Sequence, residues 1–312
     1  MQNIFSRISQ LVLLLPVLLV SCAKNLDQTP QSTANRDAVF GSEDGLKLYT
    51  NSFYNMLPDI NTPFRTDCDL SDYGATTSVP TYLRTGAFSS RQSSGWSWTD
   101  LRNVNYFIQN CNNPAVSQTV RENYIGLAKF FRAYFYFEKV KRFGDVPWYS
   151  KPLDVSDSAL YKARDSRTVI MDSILADLDY AAAHITATDD ATRSTITKWI
   201  VYGFKSRVCL FEGTFRKYQT SYGLASTATQ FLQAAADAAQ AVMNSGKYSL
   251  NKGGNMAYRN LFISATPITS EVMLSNISST SLAKFNDANW YFTSATYGPR
   301  FNFTRTFINT YL

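Results

Sequence analysis

Apolar positions in this chain recur at helical spacing. Leu127, Phe130, Phe131, Tyr134 and Phe137 fall on one helix face, and Ala128 and Phe135 widen the apolar arc beyond a single stripe. A helix apolar over so much of its circumference is sandwiched between neighbours. Lys129, Arg132, Glu138 and Lys139 lie within the same stretch and rule against a lipid span. "RFGDVPW" then ends it, because Gly144 suits a left-handed cap and Pro147 cannot continue a helix. The rings of this segment are expected to bury against other helices.

The same grammar repeats along the chain. From Ser42, Leu46, Tyr49, Phe53 and Leu57 form a stripe; Trp98, Leu101, Val104, Asn105, Ile108 and Cys111 form another. Ile170, Ile174, Leu178, Ala181 and Ile185 follow an Asp165/Ser166 cap, and Ile196, Ile200, Phe204, Val208 and Phe211 follow Thr195. Phe231, Ala235, Ala238 and Val242 define a last stripe that Gly246 ends. The helices therefore pair, roughly 124–142 with 166–185 and 195–212 with 227–245. Such pairs cannot bury their apolar faces alone and stack into a solenoid. The expected fold is mainly α, with tetratricopeptide-like stacked helical hairpins, long irregular loops and minor β. A strict 34-residue period is absent. "EVMLSNI", from Glu271, reads as the one strand. The stretches 59–95 and 279–303 are Ser/Thr-rich, aromatic and aperiodic, which marks ordered functional loops.

The N-terminus adds a processing reading. "LVLLLPVLLV" is half the roughly 20 residues that a bilayer requires and suits a secretory signal. "LVSC" resembles the bacterial lipobox, which implies cleavage before Cys22 and its lipidation; an ordinary signal with a chance cysteine is the alternative. The expected organisation is a signal peptide over 1–21, a lipidated Cys22 with a polar tether over 22–38, and a helical binding domain over 39–312. Fully extended, the tether reaches about 55 Å. Removing residues 1–21 deletes only Arg7, so the formal charge falls by one from +6.

Charge and chemistry then narrow the function. The densest basic group, Lys139, Lys141 and Arg142, sits beside Glu138, and no basic stripe suits nucleic acid. A glycosidase needs two carboxylates across the scissile bond. The five Glu residues are Glu43, Glu122, Glu138, Glu212 and Glu271, and all but the last fall on expected helices. His184, the only histidine, sits near an expected helix C-terminus, where the macrodipole favours a cation. No nucleophile, zinc, phosphate-loop or dinucleotide motif occurs. A non-enzyme without cofactor or metal is expected. "DCDLSD" leaves three readings open for Asp67, Asp69 and Asp72: a calcium loop, acceptors for sugar hydroxyls, or turn residues. Cys209 reads as a buried small hydrophobe, and a Cys68–Cys111 bridge is left open.

A resemblance covers most of the chain. The lipobox followed by "LDQTP", the W-x-x-L-x-x-V-N-x-x-I helix from Trp98, and "AKFFRAYFYFEKVKRFGDVPW" resemble the SusD/RagB family of nutrient-binding outer-membrane lipoproteins. Phe131 departs from the family's third motif by one residue, while Arg132, Ala133, Phe143, Gly144, Asp145, Val146 and Pro147 match it. "SRTVIMDSILADLDYAAAHI", "TKWIVYGFKSRVCLFEG" and "AQAVMNSGKYSL" are similar to its following helices. The resemblance implies a lipid-anchored protein on the outer face of the outer membrane that binds oligosaccharides, or in some members peptides. It also implies a TonB-dependent SusC-like transporter as partner. Members are considerably longer, and "FINTYL" resembles a helix from their middle, so a truncated or unusually short member is expected.

Sugar binding in water needs flat apolar plates for C–H faces and polar groups for hydroxyls. Trp96 and Trp98 supply plates at a helix start, with Asn103 one turn in. The resemblance places an aromatic platform at this junction and ligand contacts in the loop that carries Asp67, Tyr73 and Arg84. It places the completion of the arc at Trp290, Tyr291 and Tyr297. Trp98 shares its spacing with the core stripe, so helix packing is its competing role.

Overall fold

The computed structural model describes residues 36–65, 71–92 and 94–312. The expected signal, Cys22, most of the tether, Asp67, Cys68 and Asp69 lie outside the described residues. The elements relevant here are α1 (Arg36–Phe40), α2 (Glu43–Asn51), α3 (Thr62–Arg65), α4 (Thr99–Asn110), α5 (Gln118–Phe143), α6 (Arg167–His184), α7 (Lys198–Tyr218) and α8 (Ala228–Asn244). Three short helices follow: α9 (Ala257–Ile263), α10 (Ala288–Thr293) and α11 (Arg305–Ile308). The two expected hairpins are present: α5 packs along α6, and α7 along α8.

Local chemistry sets the helix ends. Ser42, Ser117 and Ser166 occupy N-caps, accepting from the backbone N–H of Gly45, Val120 and Val169 at 3.2, 3.4 and 3.4 Å. Gly144 caps α5 at φ +70°, with its N–H donating to the Val140 carbonyl at 3.0 Å. α7 begins later than the Thr195 cap suggests. The Asp190 carboxylate takes the N–H groups of Thr192, Ser194 and Thr195 and holds 190–195 as a turn, so Thr197 becomes the N-cap.

The core follows the stripes. Phe131 and Phe137 are buried, and Phe131 packs on Phe53 and Tyr54 with centroids 6.0 and 5.0 Å apart. Phe137 meets Phe204 and Phe211 of α7. Tyr134 is only half-buried, against Phe204. Cys209 is fully buried, and burial pushes its thiol up to about 11.

"EVMLSNI" is not a strand. Ser275 donates its N–H to the Arg193 carbonyl at 2.7 Å, and its hydroxyl reaches the Thr192 carbonyl at 2.6 Å. Its neighbours Met273 and Leu274 both pack on the helical core, so the segment has no free face for a partner strand. Strand pairing occurs instead between β1 (Gly74–Ala75) and β2 (Asn302–Phe303), antiparallel with Gly74 opposite Phe303. This ladder ties the two aperiodic stretches together. Phe64 packs on Tyr291 and Phe292, and Tyr73 on Phe301 and Phe307.

Two buried ionic clusters join the helices. The Arg132 guanidinium donates to both Asp177 oxygens, at 2.6 and 2.8 Å, and to Asn105 Oδ1 at 3.1 Å. Lys129 adds a 2.9 Å bond to the same carboxylate. The second cluster places Glu212 between Arg167 and Arg216, each at 2.7 Å. Arg216 then reaches Thr227 Oγ1 at 2.7 Å, before α8.

Residues 145–166 leave the bundle and return. Asp145 accepts the Arg167 N–H at 2.7 Å, and the Asp165 N–H donates to the Val146 carbonyl at 3.1 Å, which closes the base of the excursion. Asp165 also accepts the Trp148 N–H at 2.7 Å and Lys162 Nζ at 2.6 Å. Trp148 stacks on Tyr136 at 4.2 Å, and the Tyr136 hydroxyl accepts the Tyr149 N–H at 2.6 Å.

Two outcomes follow from these contacts. Asp177→Ala leaves Arg132 buried without its counter-charge and is expected to cost about 3–5 kcal/mol in urea unfolding; a loss below about 1 kcal/mol would show the pair to be dispensable. The second concerns pH. Burial raises the Asp165 carboxyl, but the Lys162 and Trp148 donors outweigh it and hold the group below its ordinary value. Its contribution is therefore full above the unfolded value of about 4 and is lost as pH falls through the lower native value. The stability gap between wild type and Asp165→Asn should be constant at neutral pH and shrink in acid. A gap unchanged down to the acid limit would contradict this.

Candidate functional site

A cleft of about 640 Å³ lies between the start of α4 and the 145–166 excursion. Its formation begins at Gly95. With φ at +87°, this residue turns the chain just before Trp96, ahead of the start of α4 at Thr99. Lys139 donates to the Gly95 carbonyl and Arg142 donates to Ser94 Oγ at 3.1 Å, which pins this turn to the end of α5. Burial lowers the Lys139 pKa, with Asp100 opposing the shift and Arg142 adding to it.

Trp96 and Trp98 meet edge-to-face, with centroids 5.1 Å apart. Trp96 is 44% exposed and also meets Phe143 edge-on at 4.8 Å. The Arg164 guanidinium lies 5.0 Å from its ring centroid. Trp98 is half-buried against Phe135, Tyr136 and Tyr149, so it packs in the bundle while its rim lines the cleft. The helix-packing role considered for Trp98 is the one these contacts show.

The opposite wall comes from the excursion, through Tyr149, Lys151, Leu160, Tyr161, Lys162 and Arg164. Tyr149 is fixed by donation of its hydroxyl to the Ala159 carbonyl at 3.0 Å. Arg102 of α4 lines the cleft and donates to the Leu153 carbonyl. Buried Asn105 lies at the base, donating to the Tyr149 carbonyl at 2.8 Å while accepting from Arg132. Sequence reasoning assigned none of this wall to a site. The signal available to it was the run "LYKARDS", where a tyrosine and two cations precede a helix cap without apolar periodicity.

The other expected site residues lie elsewhere. Asn103 faces α2, accepting from the Tyr49 hydroxyl at 2.6 Å and donating to Ser52 Oγ at 3.1 Å. Arg84 is exposed and donates to Thr81 Oγ1 at 3.1 Å. Tyr73 belongs to the aromatic group around Phe301 and Phe307. Trp290, on α10, and Tyr297 are 45% and 83% exposed near that same group, whose buried ring is Tyr291. Neither lines the cleft at Trp96. Asp67 is outside the described residues.

Other chemistry is accounted for structurally. His184 stacks on Tyr180 at 4.0 Å, with Nδ1 2.9 Å from the Tyr180 carbonyl. Among the described residues, no group of three or more His, Cys, Asp or Glu side chains is arranged to hold a metal ion. Cys111 is buried, and the pairing considered for it involves Cys68, which is not described. No described helix is long and apolar enough to cross a membrane.

Known proteins share both sequence and fold. Residues 38–207 match the SusD-like family model described as starch-binding and associating with the outer membrane. The chain is similar to SusD-like protein P25 of Formosa agariphila, 24% identical over 202 residues that make up 57% of this chain and 38% of that protein. A SusD superfamily crystal structure from Bacteroides thetaiotaomicron superposes with a TM-score of 0.61 at 16% identity, covering 86% of this chain and 61% of the other. A SusD-like carbohydrate-binding protein from Bacteroides fragilis gives 0.52 at 18% identity, covering 68% and 42%. The chain thus spans 38% to 61% of the length of these relatives. With more than half of its residues inside the family match and its helical hairpins shared with the solved members, the chain belongs to the SusD/RagB family.

Proposed function

We propose that this chain is a non-catalytic, lipid-anchored surface protein that binds oligosaccharide at the Trp96 cleft and passes it to a TonB-dependent SusC-like transporter. One observation carries the reading: a half-exposed tryptophan stands at the mouth of a cleft large enough for a small ligand. An exposed ring of that size favours a partner that covers it, and a pyranose C–H face is a matching surface. Membership in a family described as starch-binding, and a fold shared with a SusD-like carbohydrate-binding protein, support the same ligand class. The cleft lining includes four cations and no carboxylate, which weighs against a hydrolase, whose chemistry needs two acids facing the bond. The organisation proposed with this function is a signal over 1–21, a lipidated Cys22 with its tether to 38, and the binding domain from 39.

Calorimetric titration against a glycan and peptide panel tests the site. Trp96→Ala is expected to weaken glycan binding by about 1–3 kcal/mol while the melting temperature moves little. Unchanged affinity for a glycan that the wild type binds would reject the plate, and a collapse in melting temperature would assign Trp96 to the core. Peptide binding without glycan binding would shift the ligand class. Mass spectrometry of the N-terminus tests the anchor. The expected species begins at an acylated Cys22, and an intact signal or an unmodified start beyond Cys22 would overturn it.

A further inference from the structure

The polar chemistry of the cleft is lopsided. Arg102, Lys151, Lys162 and Arg164 are donors only, since neither guanidinium nor ammonium can accept a hydrogen bond. The amide and carboxylate acceptors beside them are already engaged, which leaves the hydroxyls of Thr99 and Tyr161. Asn105 spends its carbonyl on Arg132, and the Asp165 carboxylate is held by Lys162 and Trp148. Neutral sugar hydroxyls are satisfied best by a mixture of donors and acceptors, whereas this wall offers an excess of positively charged donors.

Two of the cations are also unspent. Lys162 is committed to Asp165 and the Trp148 carbonyl, and Arg102 to the Leu153 carbonyl. Among the described residues, no carboxylate lies within ion-pair distance of Lys151 or Arg164. Arg164 sits over the Trp96 ring, so its planar fork lies against one face of the indole. At the end of α5, a second hollow of about 430 Å³ is lined by Gly95, Lys139, Lys141, Arg142, Phe143 and Glu138. Glu138 pairs with Lys141 there, and Asp100 acts on Lys139, yet cations outnumber acids in the lining of both hollows. Walls of one sign concentrate ligands of the opposite sign.

We infer that the ligand of this cleft is an acidic oligosaccharide, carrying carboxylate or sulfate groups that Arg164 and Lys151 receive while a sugar ring rests on Trp96. This rests on the reading of the cleft as a glycan site and adds the ligand's charge. An Arg fork matches the paired oxygens of carboxylate or sulfate, and its position over one face of Trp96 leaves the rest of the indole to the sugar ring.

The experiment titrates the full chain in detergent with three probes: an oligogalacturonate hexamer, a sulfated galactan hexamer and maltohexaose. At least one acidic probe is expected to bind about tenfold more tightly than maltohexaose, roughly 1.4 kcal/mol. Which acidic probe wins distinguishes carboxylate from sulfate. The advantage should shrink between about 20 and 300 mM salt, as the Debye length falls. Arg164→Gln and Lys151→Gln, both exposed positions, should each drive the acidic-to-neutral ratio towards one. Maltohexaose binding as tightly as both acidic probes would overturn the inference, as would a ratio unaffected by either substitution. If Trp96→Ala still weakens maltohexaose binding in that case, the glycan site stands and only its charge preference falls. Binding of none of the three would overturn both.

Discussion

The buried contact between Arg132 and Asp177 is the constraint on which the rest of the molecule is arranged. Its two parallel hydrogen bonds join α5 to α6 across 45 residues of sequence. A remaining Arg132 nitrogen reaches Asn105 on α4, and Asn105 in turn holds the Tyr149 carbonyl. One guanidinium thus links three helices and the root of the excursion. Taking such a charge out of water is costly, and the cost is offset only when geometry is good and every donor is used. All three guanidinium nitrogens of Arg132 are engaged, by a carboxylate, an amide and a backbone carbonyl. Sliding α5 by one turn along α6 would break all of these bonds together, so the cluster fixes register as well as contact.

The Glu212 cluster does the same work one hairpin later. Its carboxylate sits between Arg167 of α6 and Arg216 of its own helix, where water has no access. The aromatic core fills the space around both clusters without specifying them. Ring-to-ring contacts such as Phe137 with Phe204 and Phe211 tolerate small displacements, whereas forked ionic bonds do not. Apolar burial drives the helices together, and the two clusters select how they meet.

The cleft inherits its precision from this framework. Asn105 and Tyr136 grip the excursion from inside the bundle, and Asp145 and Asp165 close its base. An irregular wall is thereby held by side chains that belong to rigid helices. Such an arrangement lets the wall carry exposed Tyr161, Lys151 and Arg164 without forfeiting position. The second aromatic group, around Tyr291 and Phe301, is tied together by β1, β2 and ring packing among the loops themselves. Its exposed members Trp290 and Tyr297 belong to a separate surface from the Trp96 cleft.

The sequence by itself determined the helical hairpins, because a 3.6-residue apolar period is a local property that burial then rewards. It determined the stops at Gly144 and near Gly246, the burial of Cys209, and the family through motifs read in order. It also located Trp96 and Trp98 at a helix start. Local pattern misjudged "EVMLSNI", since strand identity requires a neighbour to pair with and Met273 and Leu274 found helices instead. Arg132 read as a charge that excluded lipid and as a motif match, but not as a buried link, because its partners Asp177 and Asn105 stand far from it in the chain. The cationic wall was invisible for the same reason. An aperiodic segment has no spacing that reveals its direction, and its placement depends on long-range hydrogen bonds from Asp145, Tyr136 and Asn105. Tertiary structure alone decided which charged groups face one another, because electrostatic partners are chosen by distance in space and sequence records only distance along the chain.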